Sequence, residues 1–410
     1  MSDVDRADAL ALRRQSLETS GWGNRVRWWQ PRNACWWLFV LVLAYGLYRM
    51  LDILDTTVRA FGSTLGLSAL IFGAYGLLFW WFTTVIDRYS PQPVSLRVAA
   101  FAWGGIAATW VIAVSANDAL RGLYLKLLGQ QAADVWWAPL SAPFTEELGK
   151  GAGVLLLLFI APTVVRTAYD GFVLGAFAGL GFQIFEDVLY ALNSAQTQFG
   201  SDPIGNSLGT VGLRVASGFT SHILYSAVFG AGLVYLVGTR AQRRRVGLGL
   251  GLCAAAMALH FLWDAVGALS GGNGPLSLVL IVVIAAVAIA TVVGVFHLTV
   301  RDERRTMRTV MSPEVLDGTL TAEELDALSG GWRQRRRYRK GAAGRRDRRH
   351  RKHRLAAAHD LADEIAAADA RETERVAFAR AELARLGRRP LVDARPGPDR
   401  TTPEHPTGER

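Results

Sequence analysis

The sequence predicts an all-α protein that crosses a membrane about eight times, and three observations support this fold class. First, 51% of the 410 residues are hydrophobic. Second, the apolar residues are concentrated in runs of about 20 residues, the length that a helix needs to cross a bilayer. Third, the formal net charge is +10, with basic segments at both ends. This combination is typical of a multi-pass membrane protein rather than of a soluble globule or a nucleic-acid-binding domain.

Eight apolar runs define the predicted spans, and we expect residues 34–300 to form the membrane domain. The first run follows a charged segment, residues 1–33. It starts too far from Met1, and is too long, for a cleavable signal peptide, so we interpret it as a span that also directs membrane insertion. The predicted spans are residues 34–51, 64–86, 98–117, 137–161, 171–192, 212–238, 246–268 and 275–299.

The positions of lysine and arginine predict that both ends of the chain lie in the cytoplasm. Loops on the side of the N-terminus hold Arg88, Arg97, Arg166 and the basic residues of 240–245, whereas the last two loops on the other side hold none. Short cytoplasmic loops of membrane proteins carry an excess of these residues. We therefore expect a multi-pass protein of the cell membrane with both termini inside.

From residue 301 to residue 410 the composition is that of a basic cytoplasmic tail. A capping-box pattern at Thr321 and Glu324 predicts a short helix that ends at Ser329 and the two glycines after it. Residues 355–386 show helical spacing of apolar residues. The expected face of that helix consists of Leu361, Ile365, Ala368 and Val376. The last twenty or so residues are rich in proline, glycine and charge, which is typical of disorder.

An arginine-rich run, Arg333–Arg354, lies within this tail. A membrane anchor would hold the run beside the anionic inner leaflet, where each lysine or arginine contributes about 1 kcal/mol to lipid binding. Anionic lipid headgroups are therefore its expected partner. A purely topological role for these charges is the alternative, and nucleic acid is an unlikely partner.

Ionisable residues occur inside four consecutive predicted spans. Placing one such residue at membrane depth costs about 2.5–3.5 kcal/mol, so a group of them calls for an explanation, and function is the first one to consider. The residues are Glu146, Glu147 and Lys150, then Glu186 with Tyr190 one turn later, then His222, and finally His260 with Asp264.

Helix geometry predicts that these residues lie at a common depth. Three pairs of them are spaced four residues apart, so each pair shares a helix face. At 1.5 Å per residue, Glu146, Glu186, His222 and His260 lie roughly 9–15 Å below the outer ends of their spans. We therefore expect a shared, hydrated pocket in the outer half of the bilayer.

Such a pocket suits hydrolysis. A carboxylate held away from bulk water can act as a general base toward water, and a nearby histidine or lysine can donate to the oxyanion that forms when water attacks a peptide carbonyl. His222 and His260 with Glu186 could instead hold Zn²⁺, which activates water directly. No H-E-x-x-H pattern occurs, and Cys35 and Cys253 lie in apolar runs, so neither a zincin motif nor a cysteine zinc site is predicted.

Each motif also has a simpler explanation. The acidic pair with Lys150 can be a helix-stabilising ion pair, and His222 can bond a backbone carbonyl and only pack helices. Asp264 can serve only to orient His260. A proton-coupled transporter would also place glutamate and histidine at membrane depth, although the duplicated halves common in transporters are not evident in this sequence.

Four ordered motifs resemble those of the PrsW family of intramembrane proteases, which are bacterial relatives of the CAAX prenyl endopeptidases. The motifs are Pro143-x-x-Glu146-Glu147-x-x-Lys150, then Asp170-Gly171 leading to Phe185-Glu186-x-x-x-Tyr190, then His222, and then His260-x-x-Trp263-Asp264. The resemblance covers about residues 34–300. The basic tail beyond about residue 305 matches no motif of the family core.

The resemblance implies proteolysis within or next to the bacterial inner membrane. It implies a single-span membrane protein as substrate, such as an anti-sigma factor that is cut from its outer side. The family's name points to a metal, whereas the CAAX relatives support a glutamate-activated water, so Zn²⁺ stays open as a cofactor. The implied catalytic residues are Glu146, Glu147, Glu186, His222, His260 and Asp264, with Lys150 and Tyr190 in supporting roles.

Overall fold

A computed structural model describes residues 3–387, and this part of the chain is built from helices without a β-strand. The predicted all-α membrane fold is thereby confirmed. The predicted disordered end falls mostly on residues 388–410, which lie outside the described part. Within residues 3–387, seven helical segments are long and apolar enough to cross a membrane. They are Ala34–Asp55, Thr57–Ile86, Val94–Leu128, Ala168–Ala195, Pro203–Val237, Val246–Asp264 and Gly274–Leu316.

The helices follow one another with short connections. They are α1 (Asp3–Ser20), α2 (Ala34–Ile86), α3 (Val94–Ala102), a π-helical stretch (Trp103–Ala113), α4 (Val114–Leu128), α5 (Gln130–Ile160), α6 (Ala168–Ala195), α7 (Pro203–Ser217), α8 (His222–Val237), α9 (Val246–Asp264), α10 (Val266–Ser270), α11 (Gly274–Leu316), α12 (Ala322–Ser329), α13 (Trp332–Lys340), α14 (Arg345–Ala367) and α15 (Glu374–Gly387). Short 3₁₀ turns occupy Thr197–Gly200 and Gly218–Thr220.

The first two predicted spans lie in one helical segment, α2, which is interrupted at Phe61 by non-helical backbone angles. Both limbs contact the third span, since Phe39 stacks on Trp103 and Trp80 packs against Phe101. A straight helix would separate residues 39 and 80 by about 60 Å. The chain therefore turns back inside this segment, where the sequence pattern had suggested a loop.

The fourth predicted span, residues 137–161, falls within α5, a helix of 31 residues. This helix is long enough to cross a bilayer, but it is not among the seven apolar segments. The reason is composition, because Glu146, Glu147 and Lys150 lie in its middle. The difference between about eight predicted spans and seven apolar ones comes from this one charged helix.

The sixth predicted span, residues 212–238, is not one continuous helix. It contains the end of α7, the 3₁₀ turn, and then α8 after Ser221, whose backbone angles are not helical (φ −120°, ψ −132°). The prediction of an unbroken helix was wrong at this point. As a result, His222 is the first residue of α8 and lies at a helix end inside the bundle.

Helix α6 lies at the centre of the bundle and contacts α8 very closely. A Cβ atom on Gly175 would lie 2.1 Å from the carbonyl oxygen of Ser226, and one on Gly179 would lie 2.4 Å from that of His222. Small residues in membrane helices permit such close contact, and these glycines do so here. They fix the distance between α6 and the start of α8.

Replacing Gly179 with leucine is expected to push α8 away from α6. Overpacking of this kind costs about 1–3 kcal/mol, and it would displace His222. We expect a lower thermal midpoint of the purified protein together with loss of any activity that depends on His222. Gly251→Leu on α9 is the matched control, because nothing lies within 4 Å of a Cβ there. Equal thermal midpoints for the two variants would contradict this interpretation of the α6–α8 contact.

The tail forms a packed unit, made of α12–α15, α1 and the end of α11. We name it the cytoplasmic unit after the side of the membrane on which the sequence predicts it to lie. The predicted capping box is present, with Thr321 as the N-cap of α12 and Glu324 completing it. Leu361, Ile365 and Val376 are buried, as their spacing predicted. The predicted single helix over 355–386 is instead divided between α14 and α15 by a turn with positive φ at residues 369–370.

The arginine-rich run is divided between internal contacts and solvent. Arg354 is buried and pairs with Glu324, and Arg351 donates to the carbonyl oxygens of Tyr338 and Gly341. Arg333 and others on the same helix are exposed. We therefore propose that only the exposed part of the run contacts anionic lipid headgroups.

Candidate active site

Four helices bring the predicted acidic and imidazole residues into one buried cluster. Its members are Glu146, Glu147 and Lys150 from α5, Glu186 from α6, His222 from α8, and His260 with Asp264 from α9. The predicted juxtaposition of the four spans is therefore present in the structure. The cluster forms because the α6 glycines allow α8 to approach, and because the break before α8 places His222 at a helix start.

Glu147 is fully buried, and both of its carboxylate oxygens have partners. Oε1 lies 2.7 Å from Lys150 Nζ and 3.1 Å from His260 Nδ1. Oε2 accepts a hydrogen bond of 3.0 Å from Ser226 Oγ. A carboxylate held in this way is suited to orienting His260 rather than to receiving a proton from water.

Glu146 differs because one of its oxygens has no hydrogen-bond partner. Its Oε2 is buried and unpaired, and it lies 3.6 Å from His222 Nδ1 and 3.7 Å from His260 Nε2. Oε1 accepts a hydrogen bond of 3.3 Å from Asn117 Nδ2. The free oxygen therefore faces two imidazole nitrogens at the centre of the cluster, at distances that leave space for a small ligand.

Each histidine has a carboxylate on the nitrogen that points away from Glu146. His260 Nδ1 faces Glu147, and its Nε2 lies 3.4 Å from Asp264 Oδ2 as well as near Glu146. His222 Nε2 lies 2.9 Å from Glu186 Oε2. Carboxylates in these positions fix the tautomer and the orientation of an imidazole.

The donor set at the centre fits a metal ion. Glu146, His222 and His260 are buried, and one ligand atom from each lies within 4.8 Å of the others. One carboxylate and two imidazoles make a donor set that zinc accepts. The group contains Glu146 in place of the predicted Glu186, which instead supports His222. Lys150 Nζ lies 3.1 Å from His222 Nδ1 and would have to move if that nitrogen bound a metal.

Arg214 is a member of the cluster that sequence reasoning missed. Its guanidinium donates to Glu186 Oε2 (2.5 Å) and to Asp187 Oδ1. The same group lies over the ring of Tyr190, 4.4 Å from the ring centroid. Arg214 lies near the start of the predicted span 212–238 and was assigned no role from the sequence. The available signal was a cation at the border of one predicted span, because the preceding span contains two adjacent acidic residues, Glu186 and Asp187.

Asp187 and Asp170 lie outside the central group. Asp187 accepts from Arg214, and from Gln183 Nε2 at 2.9 Å and 3.0 Å, so it adjoins the site. Asp170 completes the capping box that opens α6 at the opposite end of that helix. It lies directly before residue 171, the predicted start of the fifth span.

Fold and site together define a multi-pass membrane protein with a buried acid–imidazole centre. Residues 92–292 match the model of a family described as PrsW family intramembrane metalloprotease. This match confirms the resemblance seen in the motifs. All cluster members lie in the matched segment. No curated protein and no solved structure matches the chain. The family match supports intramembrane peptidase activity.

Proposed function

We propose that the protein hydrolyses a peptide bond of a membrane-bound protein and that Glu146 accepts the proton of the attacking water. One observation carries the assignment of the base. Glu146 Oε2 is a buried, unpaired acceptor between two imidazoles, whereas both oxygens of Glu147 have donors. A general base must be able to reach the proton that it removes.

The neighbouring groups supply positive charge and orientation. Lys150 Nζ lies 4.0 Å from Glu146 Oε2 and close to His222, so its ammonium group can stabilise an oxyanion formed beside the base. His260, whose Nδ1–H faces Glu147, can also donate from Nε2 toward the same point when its ring is doubly protonated. Glu186 fixes His222 from the other side. These residues therefore hold water and substrate, while Glu146 moves the proton.

A bound metal is compatible with the same arrangement. Glu146, His222 and His260 would hold it, and Glu147 and Glu186 would orient the two imidazoles. Such an ion, of the Zn²⁺ type, would supply Lewis acidity toward water or a carbonyl oxygen. The residues that orient the site are the same with or without a metal.

The substrate we propose is a single-span membrane protein, cut near the outer face of the cell membrane. Two features support this. Glu186 lies sixteen residues beyond Asp170 on α6, which corresponds to about 24 Å along the helix, and the basic loops and the cytoplasmic unit lie at the Asp170 end. An anti-sigma factor or another membrane-bound regulator would present a peptide bond at that depth.

The function is tested with purified protein in lipid vesicles that also contain a labelled single-span substrate. We expect cleavage by the unmodified protein and a rate lower by at least about 100-fold when Glu146 is replaced by glutamine. Uptake of a solute driven by a pH gradient, without any cleavage, would support proton-coupled transport instead and would contradict the proposed peptidase.

Arg214 is proposed as a positioning residue, because it holds Glu186 in contact with His222. Replacement by glutamine is expected to lower kcat about 10- to 100-fold, as for other groups that orient a functional imidazole, with little change in KM. Arg214→Lys should retain part of the rate because it keeps the charge. A loss confined to thermal stability, with kcat unchanged, would contradict the positioning role.

A further inference from the structure

A second buried polar cluster lies at the cytoplasmic ends of the helices, about 24 Å along α6 from the active site. We call it the inner acidic cluster. It contains three carboxylates, each only 2% exposed. Its residues are Asp87 at the end of α2, Ser90 and Gln92 in the following loop, Asp170 in α6 and Glu303 in α11.

Hydrogen bonds join these residues in two neighbouring sets, which the loop after α2 connects. The backbone N–H of Gln92 donates to Asp87 Oδ2 (2.8 Å), and its side-chain amide donates to Asp170 Oδ1 (2.6 Å). Asp170 Oδ2 accepts from two backbone N–H groups at the start of α6, each at 2.7 Å. Ser90 Oγ donates to Glu303 Oε2. The cluster therefore connects the second, third and fifth spans with the last one.

The three carboxylates lack a cationic partner. Elsewhere in the described chain, buried carboxylates such as Glu314 and Asp187 pair with arginines. Among residues 3–387, no side-chain nitrogen of Lys, Arg or His forms an ion pair with Asp87, Asp170 or Glu303 within 4 Å. Several buried carboxylates without a counter-ion are costly.

Three oxygen atoms of the cluster are buried and have no hydrogen-bond donor. They are Asp87 Oδ1, Gln92 Oε1 and Glu303 Oε1. Gln92 is only 4% exposed, and since its amide nitrogen is fixed on Asp170, its unpaired oxygen stays beside that carboxylate. Ser90, Gln92 and Asp170 also line a cavity that reaches residues 20–24 of the N-terminal segment. Unpaired acceptors at a cavity need a donor or a cation.

We propose that the inner acidic cluster binds a divalent cation of the Ca²⁺ or Mg²⁺ type. Its donors are all oxygen atoms, from carboxylates, an amide and a hydroxyl group, which are the ligands that these hard cations prefer. Among the described residues, the group that brings three acidic or imidazole ligand atoms within 4.8 Å of one another is the one at Glu146. The three carboxylates of the inner acidic cluster therefore lie too far apart for all of them to bind one ion. The ion would take two of them at most, and Gln92, Ser90 and water would complete its coordination shell.

The expected role of this ion is to join the cytoplasmic unit to the membrane bundle. Asp87 ends a membrane helix, Asp170 begins another, and Glu303 lies where α11 leaves the apolar region. A cation shared by such groups would reduce their mutual repulsion and hold the three helices together at this level. The proposal does not depend on the peptidase function.

The experiment uses the full chain carrying Glu146→Gln, so that a metal at the active site does not contribute to the signal. The protein in lipid nanodiscs is freed of divalent ions and titrated with CaCl₂ or MgCl₂ at constant ionic strength. Equilibrium binding and the thermal midpoint are measured. We expect one ion per chain and a saturable rise of the midpoint by about 3 °C or more with at least one of the two ions.

Adding Glu303→Gln or Asp87→Asn is expected to abolish both responses, and two variants are used so that a folding defect in one does not decide the outcome. Asp302→Asn is the matched control, because Asp302 is the neighbouring carboxylate on α11 and is half exposed. Its response should equal that of the parent protein. Absence of a saturable effect with both ions, or an unchanged response in both cluster variants, would overturn the proposal and indicate carboxylates that stay protonated.

Discussion

Replacement of Glu146 by glutamine is expected to lower the rate of substrate cleavage by about 10²- to 10⁴-fold, the usual contribution of a general base. The reason is the unpaired Oε2, which faces both imidazoles. Glutamine keeps the size of the side chain and can still accept from Asn117, so membrane insertion and the thermal midpoint should change little. The rate is measured with a labelled substrate in reconstituted vesicles.

Two further variants sharpen this test. Asp134→Asn changes a carboxylate of the same helix that is 44% exposed and lies near Arg121, and it should leave the rate unchanged. Glu147→Gln should lower both the rate and the thermal midpoint, because Glu147 bonds Lys150, His260 and Ser226. Full activity of the Glu146 variant, or loss of activity in the Asp134 control, would contradict the assignment of the base.

Replacement of Arg354 by methionine is expected to destabilise the cytoplasmic unit by about 3–5 kcal/mol, the cost of leaving one partner of a buried ion pair alone. Arg354 and Glu324 are 8% and 5% exposed, and the guanidinium donates twice to this carboxylate. Without it, Glu324 keeps one side-chain donor, Tyr338. Hydrogen exchange of α12–α15 in the full-length protein measures the effect.

The same ion pair predicts a dependence on pH. Hydrogen bonds from Arg354 and from the Thr321 backbone, with the charge of Arg354, outweigh burial and hold the pKa of Glu324 below its usual range. The stability that ionised Glu324 contributes is therefore fully present above its unfolded-state pKa of about 4.3. This contribution is lost as the pH falls toward the lower pKa of the folded state. The protection factors of the α12 amides, which compare their exchange with the intrinsic rate at each pH, should fall below about pH 4 in the unmodified protein. They should fall much less in Arg354→Met.

Arg349→Met is the control for this prediction. Arg349 lies on the same helix and is exposed, so a change within about 0.5 kcal/mol is expected. Similar exchange rates in the two variants would mean that the Glu324–Arg354 pair does not hold the unit together.

The membrane helices and most of the site residues could be predicted from sequence because each has a local signal. Apolar runs of the right length mark the spans, and charged groups such as Glu146 and His260 are conspicuous inside them. The break before His222 could not be predicted, since residues 218–221 contain no proline and lie in an apolar run. Tertiary contacts of α8 with α6 decide that geometry.

The cytoplasmic unit illustrates the same limit. Its helices have local signals, such as the capping box of α12, but their packing depends on distant partners. Arg13 donates to Glu314 across 301 positions of the chain, and Tyr89 donates to the carbonyl oxygen of Gly330. The inner acidic cluster likewise combines residues of four separate segments, and no spacing rule joins them. Arg214 was missed because its partners lie on another helix.

Helix α11 runs unbroken from Gly274 to Leu316 and, at 43 residues, is about 64 Å long. Its one internal proline, Pro313, lies in the last turn. A rod of this kind has no hinge where it leaves the apolar region, so a twist or tilt imposed on its C-terminal end is carried along its whole length. Any force applied to the tail would thus act on the far end of the membrane bundle.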